Sequence, residues 1–334
     1  MSSQSGIGVV GAGAWGTALA QMLAADGRAV PIWAREDEVI AAINADHRNP
    51  VYLPDIPLSP SLRATGNLAE LANLDALLLV APAQHLGAVL GEIGDYSGDV
   101  VLCAKGIEQS TGRLMAEVAR DAAPRARIAV LSGPTFAHEV ARGLPTAVTL
   151  ACEQGEGQWR ALSDAIARPA FRPYYSDDVV GAEIGGAVKN VLAIACGVVD
   201  GLALGENARA ALIARGHAEM LRFGLAKGAR AETLTGLCGL GDLVLTCSSA
   251  ASRNFSLGRA LGEGQPAAEL MANRRTVAEG AHTAPVLARI ADEMGIAMPI
   301  TEAVCALLDG KAAAAPTVAA LLARPLRAEG EETA

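Results

Sequence analysis

The chain has no surplus of positive charge. Its 27 Lys and Arg residues stand against 36 Asp and Glu, a net charge of −9 over 334 residues. That balance argues against nucleic acid or an anionic membrane as the main partner. An anionic substrate therefore needs positive charge gathered locally. Met1–Gly6 lacks the basic and apolar stretches of a secretory signal. No apolar run reaches the ~18 residues of a membrane helix; the leading candidate, Val191 to Val199, is stopped by Asp200. Membrane insertion is not expected. The six cysteines (103, 152, 196, 238, 247 and 305) include no C-x-x-C, and no H-E-x-x-H or Cys/His cluster is present. This pattern predicts reduced, buried thiols, a cytoplasmic location and no metal. Internal repeats and low-complexity linkers are also absent. What the chain does have is 51% hydrophobic and 19% charged residues, which excludes global disorder. Its length favours two domains.

The most informative stretch comes first. Ile7–Val10 is a short apolar, β-branched run, as expected of a buried parallel strand. Gly11, Gly13 and Gly16 follow in the G-x-G-x-x-G spacing and open a helical pattern. Gly11 suits a tight turn, Gly13 admits a pyrophosphate to the backbone, and Gly16 lets helix and strand approach. The amides at the helix start, from Ala14 onward, then face the anion. The strand–turn–helix context gives the motif its weight.

Further along, helix Thr17–Ala25 and strand Ala29–Ala34 are predicted. At the end of that strand a dinucleotide site places an acid for a ribose hydroxyl or an arginine for a 2′-phosphate. The chain offers Arg35 and then Glu36. Arg35 comes first, which favours NADPH with some use of NADH; the other possibility is an exposed Arg–Glu pair opening the next helix. Helix 38–45, an irregular loop 47–60 and a short helix 69–74 come next. Predicted strands follow at 75–81, 99–104, 127–131, 146–151 and 171–175, with helix 156–167 between the last two. Pro82–His85, Lys105-Gly106 and Ser132–Ala137 sit at strand ends, where such sheets hold ligands. The alternation implies an α/β, Rossmann-like domain over 1–180 with a mostly parallel sheet. From 181 to 334 the strand pattern gives way to an all-helical domain, with helices expected at 179–199, 207–227, 231–237 and 283–295. Arg327–Ala334 is expected to fray.

Three stretches of the second half carry chemistry. Glu183–Asn190 puts Lys189 inside an apolar helix, where a buried charge is costly. Helical side chains lean toward the N-terminus, so Lys189 and Asn190 should lie over Gly185 and Gly186, leaving room for a ligand. A desolvated lysine has a lowered pKa and serves as acid or base; alternatively Lys189 reaches water. Gly236–Asp242 is glycine-rich, and Asp242 either pairs with Lys189 or caps a helix. Ser252-Arg253-Asn254 joins one cation to two short hydrogen-bonders, suited to a phosphate, or forms a polar loop before a helix. Val277–Gly280 is a further loop in which Glu279 can accept from a ribose or amide.

Taken together, residues 11–20, Lys105-Gly106, Ser132–Ala137, Gly185–Asn190, Gly239–Asp242 and Ser252–Asn254 resemble the bacterial-type NAD(P)-dependent glycerol-3-phosphate dehydrogenases, in order from residue 7 to about 310. The resemblance implies hydride exchange between sn-glycerol 3-phosphate and dihydroxyacetone phosphate, with NADP(H) or NAD(H). It puts the catalytic base on Lys189, with Asp242 beside it. Substrate contacts fall on Lys105, Gly133, Thr135, Lys189, Asp242, Ser252, Arg253 and Asn254. Cofactor contacts fall on Gly11, Gly13, Ala14, Trp15, Gly16, Arg35, Lys105, Ala137, Arg253, Val277 and Glu279. It further implies a homodimer, supply of glycerol 3-phosphate to glycerophospholipid synthesis, and a small-molecule substrate rather than a macromolecular partner. The alternatives are a related dehydrogenase of 2-hydroxy acids or sugar acids, and a nucleotide-sensing protein without turnover.

Overall fold

A computed structural model describes residues 6–272 and 278–324. The chain divides into two compact units, Met1–Lys105 with Leu114–Ala182, and Gly106–Arg113 with Glu183–Ala334.

The first unit alternates strands and helices: β1 (Ile7–Val10), α1 (Ala14–Ala24), β2 (Val30–Trp33), α2 (Asp37–Asp46), β3 (Leu62–Thr65), β4 (Ala76–Leu79), α3 (Leu86–Ile93), β5 (Asp99–Leu102), α4 (Met115–Ala122), β6 (Arg127–Ser132), α5 (Ala137–Ala141), β7 (Thr146–Cys152), α6 (Gly155–Ile166) and β8 (Phe171–Ser176). The strands form one sheet in the order β3-β2-β1-β4-β5-β6-β7-β8. Every pairing is parallel except β6 with β7. Strands β1, β4 and β5 are buried along their whole length, which is why they read as unbroken apolar runs rather than alternating ones. Strand order reverses at β1, with β2 on one side and β4 on the other, and ligands bind beyond the strand ends at such a switch point. Leu19 and Leu23 of α1 are fully buried beside Val9 and Ile32 in the core.

Two local expectations change. Strand β3 was not expected. It holds four residues, Leu-Arg-Ala-Thr, and owes its place to pairing with β2 in the register Val30↔Leu62 to Trp33↔Thr65. The helix expected over 69–74 is a single 3₁₀ turn, Leu68–Leu71, capped by the Asn67 side chain.

α7 (Val179–Gly201) leads into the second unit, which contains α8 (Glu206–Ala226), α9 (Ala231–Leu234), α10 (Asp242–Cys247), α11 (Arg253–Gly262), α12 (Ala267–Ala272), α13 (Glu279–Glu293), α14 (Pro299–Leu308) and α15 (Ala314–Leu322). At 23 residues α7 is long and apolar enough to cross a membrane, contrary to the count of unbroken apolar residues, because Glu183, Lys189 and Asn190 interrupt the run without ending the helix. It is a core helix: 94% of its most apolar window is buried within the protein. Gly106–Arg113 joins this unit through Gln109, whose amide lies 3.3 Å from the His282 ring nitrogen, and through Gly112, which packs against Ile290.

Candidate functional site

In the first unit the three motif glycines have three different environments. Gly11 has φ +114°, a conformation that glycine adopts without a Cβ penalty, and its neighbour is the Val80 backbone. A Cβ on Gly16 would lie 1.8 Å from the Gly11 carbonyl oxygen, so only glycine lets α1 sit this close to the turn. A Cβ on Gly13 would meet nothing within 4 Å. The turn backbone there faces open space, and no side chain caps the helix that starts at Ala14. The first amides of an uncapped helix are an anion site. The turn is braced from outside: the Asn49 amide donates to the Ala12 carbonyl at 2.9 Å and to Thr17 Oγ1 at 2.8 Å, and Thr17 Oγ1 donates to Ala12 at 3.1 Å. Sequence reasoning missed Asn49, which sits in an irregular loop with no periodic signal.

Trp15 packs against the core while its indole Nε1 is buried with no acceptor. Ser132 Oγ, at the end of β6, is likewise buried without a partner. Orphaned buried donors cost stability unless something satisfies them, and their presence at strand and helix ends of this sheet fits a bound dinucleotide. Lys105 Nζ donates to the Gly133 carbonyl at 3.2 Å, and Thr135 Oγ1 donates to the same oxygen at 3.3 Å. Gly133 has φ +155°, and its Cβ would fall 2.9 Å from Val148 Cα. Lys105, Gly133 and Thr135 thus form one cluster, with Ala137 opening α5 just beyond. At the end of β2, Arg35 is exposed, whereas Glu36 is partly buried and accepts from the Tyr52 hydroxyl at 3.0 Å. Burial, reinforced by Glu36, raises the Tyr52 pKa, which keeps that phenol a donor.

In the second unit Lys189 Nζ lies 2.6 Å from Asp242 Oδ1 and 2.9 Å from Thr246 Oγ1. Lys189 is 5% exposed and Asp242 0%. Thr246 also donates to Asp242 Oδ1, at 3.2 Å. Thr246 was missed, although its position four residues after Asp242 puts both on one face of α10. The glycine-rich stretch before it is a π-helical turn, Leu237–Gly241, rather than a loop, and it delivers Asp242 as the first residue of α10. The expected room over Gly185 is filled: a Cβ there would lie 2.4 Å from the Cys238 carbonyl oxygen. That glycine admits the π turn, and so Asp242, rather than a ligand.

The neighbouring asparagines tie helices together. Asn254 Nδ2 donates to Asn190 Oδ1 at 2.9 Å, and Asn254 Oδ1 accepts from the Gly280 amide at 2.9 Å. Asn190 Nδ2 bonds the Gly186 carbonyl at 3.3 Å. Ser252 is the N-cap of α11, accepting from the Phe255 amide. The start of α11 therefore sits one residue beyond Lys189, with Arg253 exposed on its first turn. Glu279 opens α13; burial raises its pKa, and nearby Arg253 counters part of that rise. Val277 lies outside the described residues.

The chain matches two family models over nearly its whole length: NAD-dependent glycerol-3-phosphate dehydrogenase N-terminus over residues 6–158 and its C-terminus over residues 178–319. It is 72% identical over 323 residues to a glycerol-3-phosphate dehydrogenase [NAD(P)+] of Novosphingobium aromaticivorans, covering 97% of this chain and 98% of that one. A same-named protein of Erythrobacter litoralis is 68% identical, with 98% and 99% covered. Among solved structures, glycerol-3-phosphate dehydrogenase from Coxiella burnetii superposes with a TM-score of 0.90 at 39% identity, covering 95% of this chain and 98% of that one.

Proposed function

The chain belongs to the NAD-dependent glycerol-3-phosphate dehydrogenase family, and from that premise we propose how its own residues carry the reaction. It is an NAD(P)-dependent oxidoreductase that interconverts sn-glycerol 3-phosphate and dihydroxyacetone phosphate. The observation that carries the residue assignment is the buried Lys189–Asp242–Thr246 cluster.

When bound, the nicotinamide cofactor supplies or accepts the hydride at C2. Lys189 in its ammonium form polarises the C2 ketone and gives its proton to the developing alkoxide; in the oxidative direction the neutral amine takes the proton back. Asp242 and Thr246 hold Nζ in position, and Asp242 favours the charged form. Arg253 holds the substrate phosphate, with the first amides of α11 assisting. Ser252 and Asn254 shape that turn. Because Asn254 already gives one Nδ2 hydrogen to Asn190 Oδ1, its contribution to an anion is limited to the other Nδ2 hydrogen. Lys105, Gly133 and Thr135 contact substrate, and Lys105 and Ala137 also contact cofactor. Gly11, Gly13, Ala14, Trp15 and Gly16 receive the pyrophosphate half of the dinucleotide. Glu279, Arg253 and Val277 complete the cofactor contacts. Arg35 favours NADPH, since Glu36 is engaged by Tyr52. The protein works as a cytoplasmic homodimer that supplies glycerol 3-phosphate for glycerophospholipid synthesis.

Loss of the nicotinamide absorbance with dihydroxyacetone phosphate, against 2-oxo acids and a non-phosphorylated ketone, tests this reading. Dihydroxyacetone phosphate should be turned over fastest. Arg253→Ala should raise its KM by the roughly 1.5–3 kcal/mol of a charge-assisted contact while sparing the non-phosphorylated ketone. Faster turnover of a 2-oxo acid would overturn the substrate, and equal losses for both ketones would overturn the role of Arg253.

A further inference from the structure

The second unit contains a cavity of about 620 Å³ that none of the residues discussed so far as catalytic or ligand-binding lines. The volume is in the range of small-molecule pockets, roughly 300–1,000 Å³. Its walls come from α7, α8, α14 and α15, with Val198, Leu212, Val304, Leu307 and Leu321 among them. They include no aromatic ring, so the cavity offers nothing for a flat ligand to stack on and suits a flexible alkyl chain.

The polar lining has one sign in excess. Among the described residues the lining holds Arg215, Arg222 and Arg324 and one carboxylate, Glu219. The oxygens of Glu219 accept from the amides of Ile300 at 2.7 Å and Thr301 at 3.3 Å and from the Thr301 hydroxyl, and the charge of Arg222 also acts on this carboxyl. Among the described residues none of the three arginines forms an ion pair within 4 Å. Arg222 donates through one terminal nitrogen to the Ala297 carbonyl, while its Nε is buried with no acceptor. Guanidinium groups beside an aliphatic wall suit an anion that carries a hydrocarbon chain. None of the residues of α15 is buried among the described residues, and Leu322 is 79% exposed.

We propose that this cavity binds a fatty acid, with the carboxylate at Arg215 and Arg222 and the chain along the aliphatic walls toward Leu307 and Leu321. The site is independent of the assignment of Lys189 and Arg253, so either can fail alone.

Isothermal titration of the full-length, lipid-stripped protein with laurate tests it. Laurate should bind one per chain, at least tenfold tighter than hexanoate, which has too short a chain, and than dodecyltrimethylammonium, which has the wrong charge. Arg215→Gln and Arg222→Gln should each weaken laurate tenfold or more. Ala303→Trp should fill the cavity and abolish binding while dihydroxyacetone phosphate is still reduced; should that variant not fold, the two arginine variants and the chain-length series decide alone. Absence of laurate binding to the unmodified protein overturns the proposal, as does equal binding of the cationic amphiphile. So does retention of laurate affinity in both arginine variants. A chain that refuses laurate but runs as a dimer, and becomes monomeric with Ala303→Trp, assigns the face to a second copy instead.

Discussion

Lys189 is the one buried cation among the described residues, and a lysine is placed there only against a cost in desolvation. Asp242 at 2.6 Å offsets that cost, and the same contact aims Nζ. Lys189→Ala should lower kcat by about 10²–10⁴, the range of general acid–base catalysis, with cofactor Kd nearly unchanged. Near-normal turnover would remove Lys189 from the chemistry. The variant leaves Asp242 buried without its cation, so its melting temperature should fall as well, and the unchanged cofactor affinity separates a chemical loss from an unfolded sample. Arg35 poses the opposite situation, an exposed cation that a 2′-phosphate can approach at little desolvation cost. Arg35→Ala should weaken NADPH and leave NADH nearly untouched; a kcat/KM that favours NADH in the unmodified enzyme would shift cofactor choice to Glu36.

At the scale of elements, two glycines three residues apart should respond differently. Gly13→Ala adds a methyl to open space at φ −66°, which alanine adopts freely. Its melting temperature should hold while dinucleotide Kd rises. Gly16→Ala drives a Cβ onto the Gly11 carbonyl, and α1 must shift, with the roughly 1–3 kcal/mol loss of an overpacked core. Equal melting curves for the two variants would contradict the division of roles. Glu219 joins α8 to the start of α14 through the Ile300 and Thr301 amides. Burial pushes its carboxyl up to about 7, above its ordinary 4.5, although those hydrogen bonds pull it down. The folded protein therefore holds this proton more tightly than the unfolded chain. The contribution is full below about 4.5 and is lost as pH rises through about 7, on the order of 3 kcal/mol in all. The melting temperature of the unmodified protein relative to Glu219→Gln should accordingly fall between about pH 5 and pH 8. A constant difference would mean that Glu219 does not titrate in that window.

For the whole molecule, the parts readable in the sequence were those with a local signature. The glycine turn, the buried strands β1, β4 and β5 and the long helices α7 and α8 each combine period, composition and punctuation within one short stretch. Strand β3 has too few residues to show a period and exists through its partner β2. Asn49 acts through a contact 37 residues away in the chain, and no local pattern marks it; Thr246 acts on Lys189 from 57 residues away, and only its i,i+4 spacing from Asp242 marks it. Gly185 reads in the sequence as an opening for a ligand, and the Cys238 carbonyl fills that space instead. Gly106–Arg113 was the least readable feature, since it sits inside the strand–helix series yet belongs to the second unit. During synthesis Gln109 leaves the ribosome 173 residues ahead of its partner His282. At 5–20 residues per second that is a wait of roughly 9–35 s. The nascent chain can complete its β-sheet during that interval, but this short insert stays exposed until the last third of the protein has been translated.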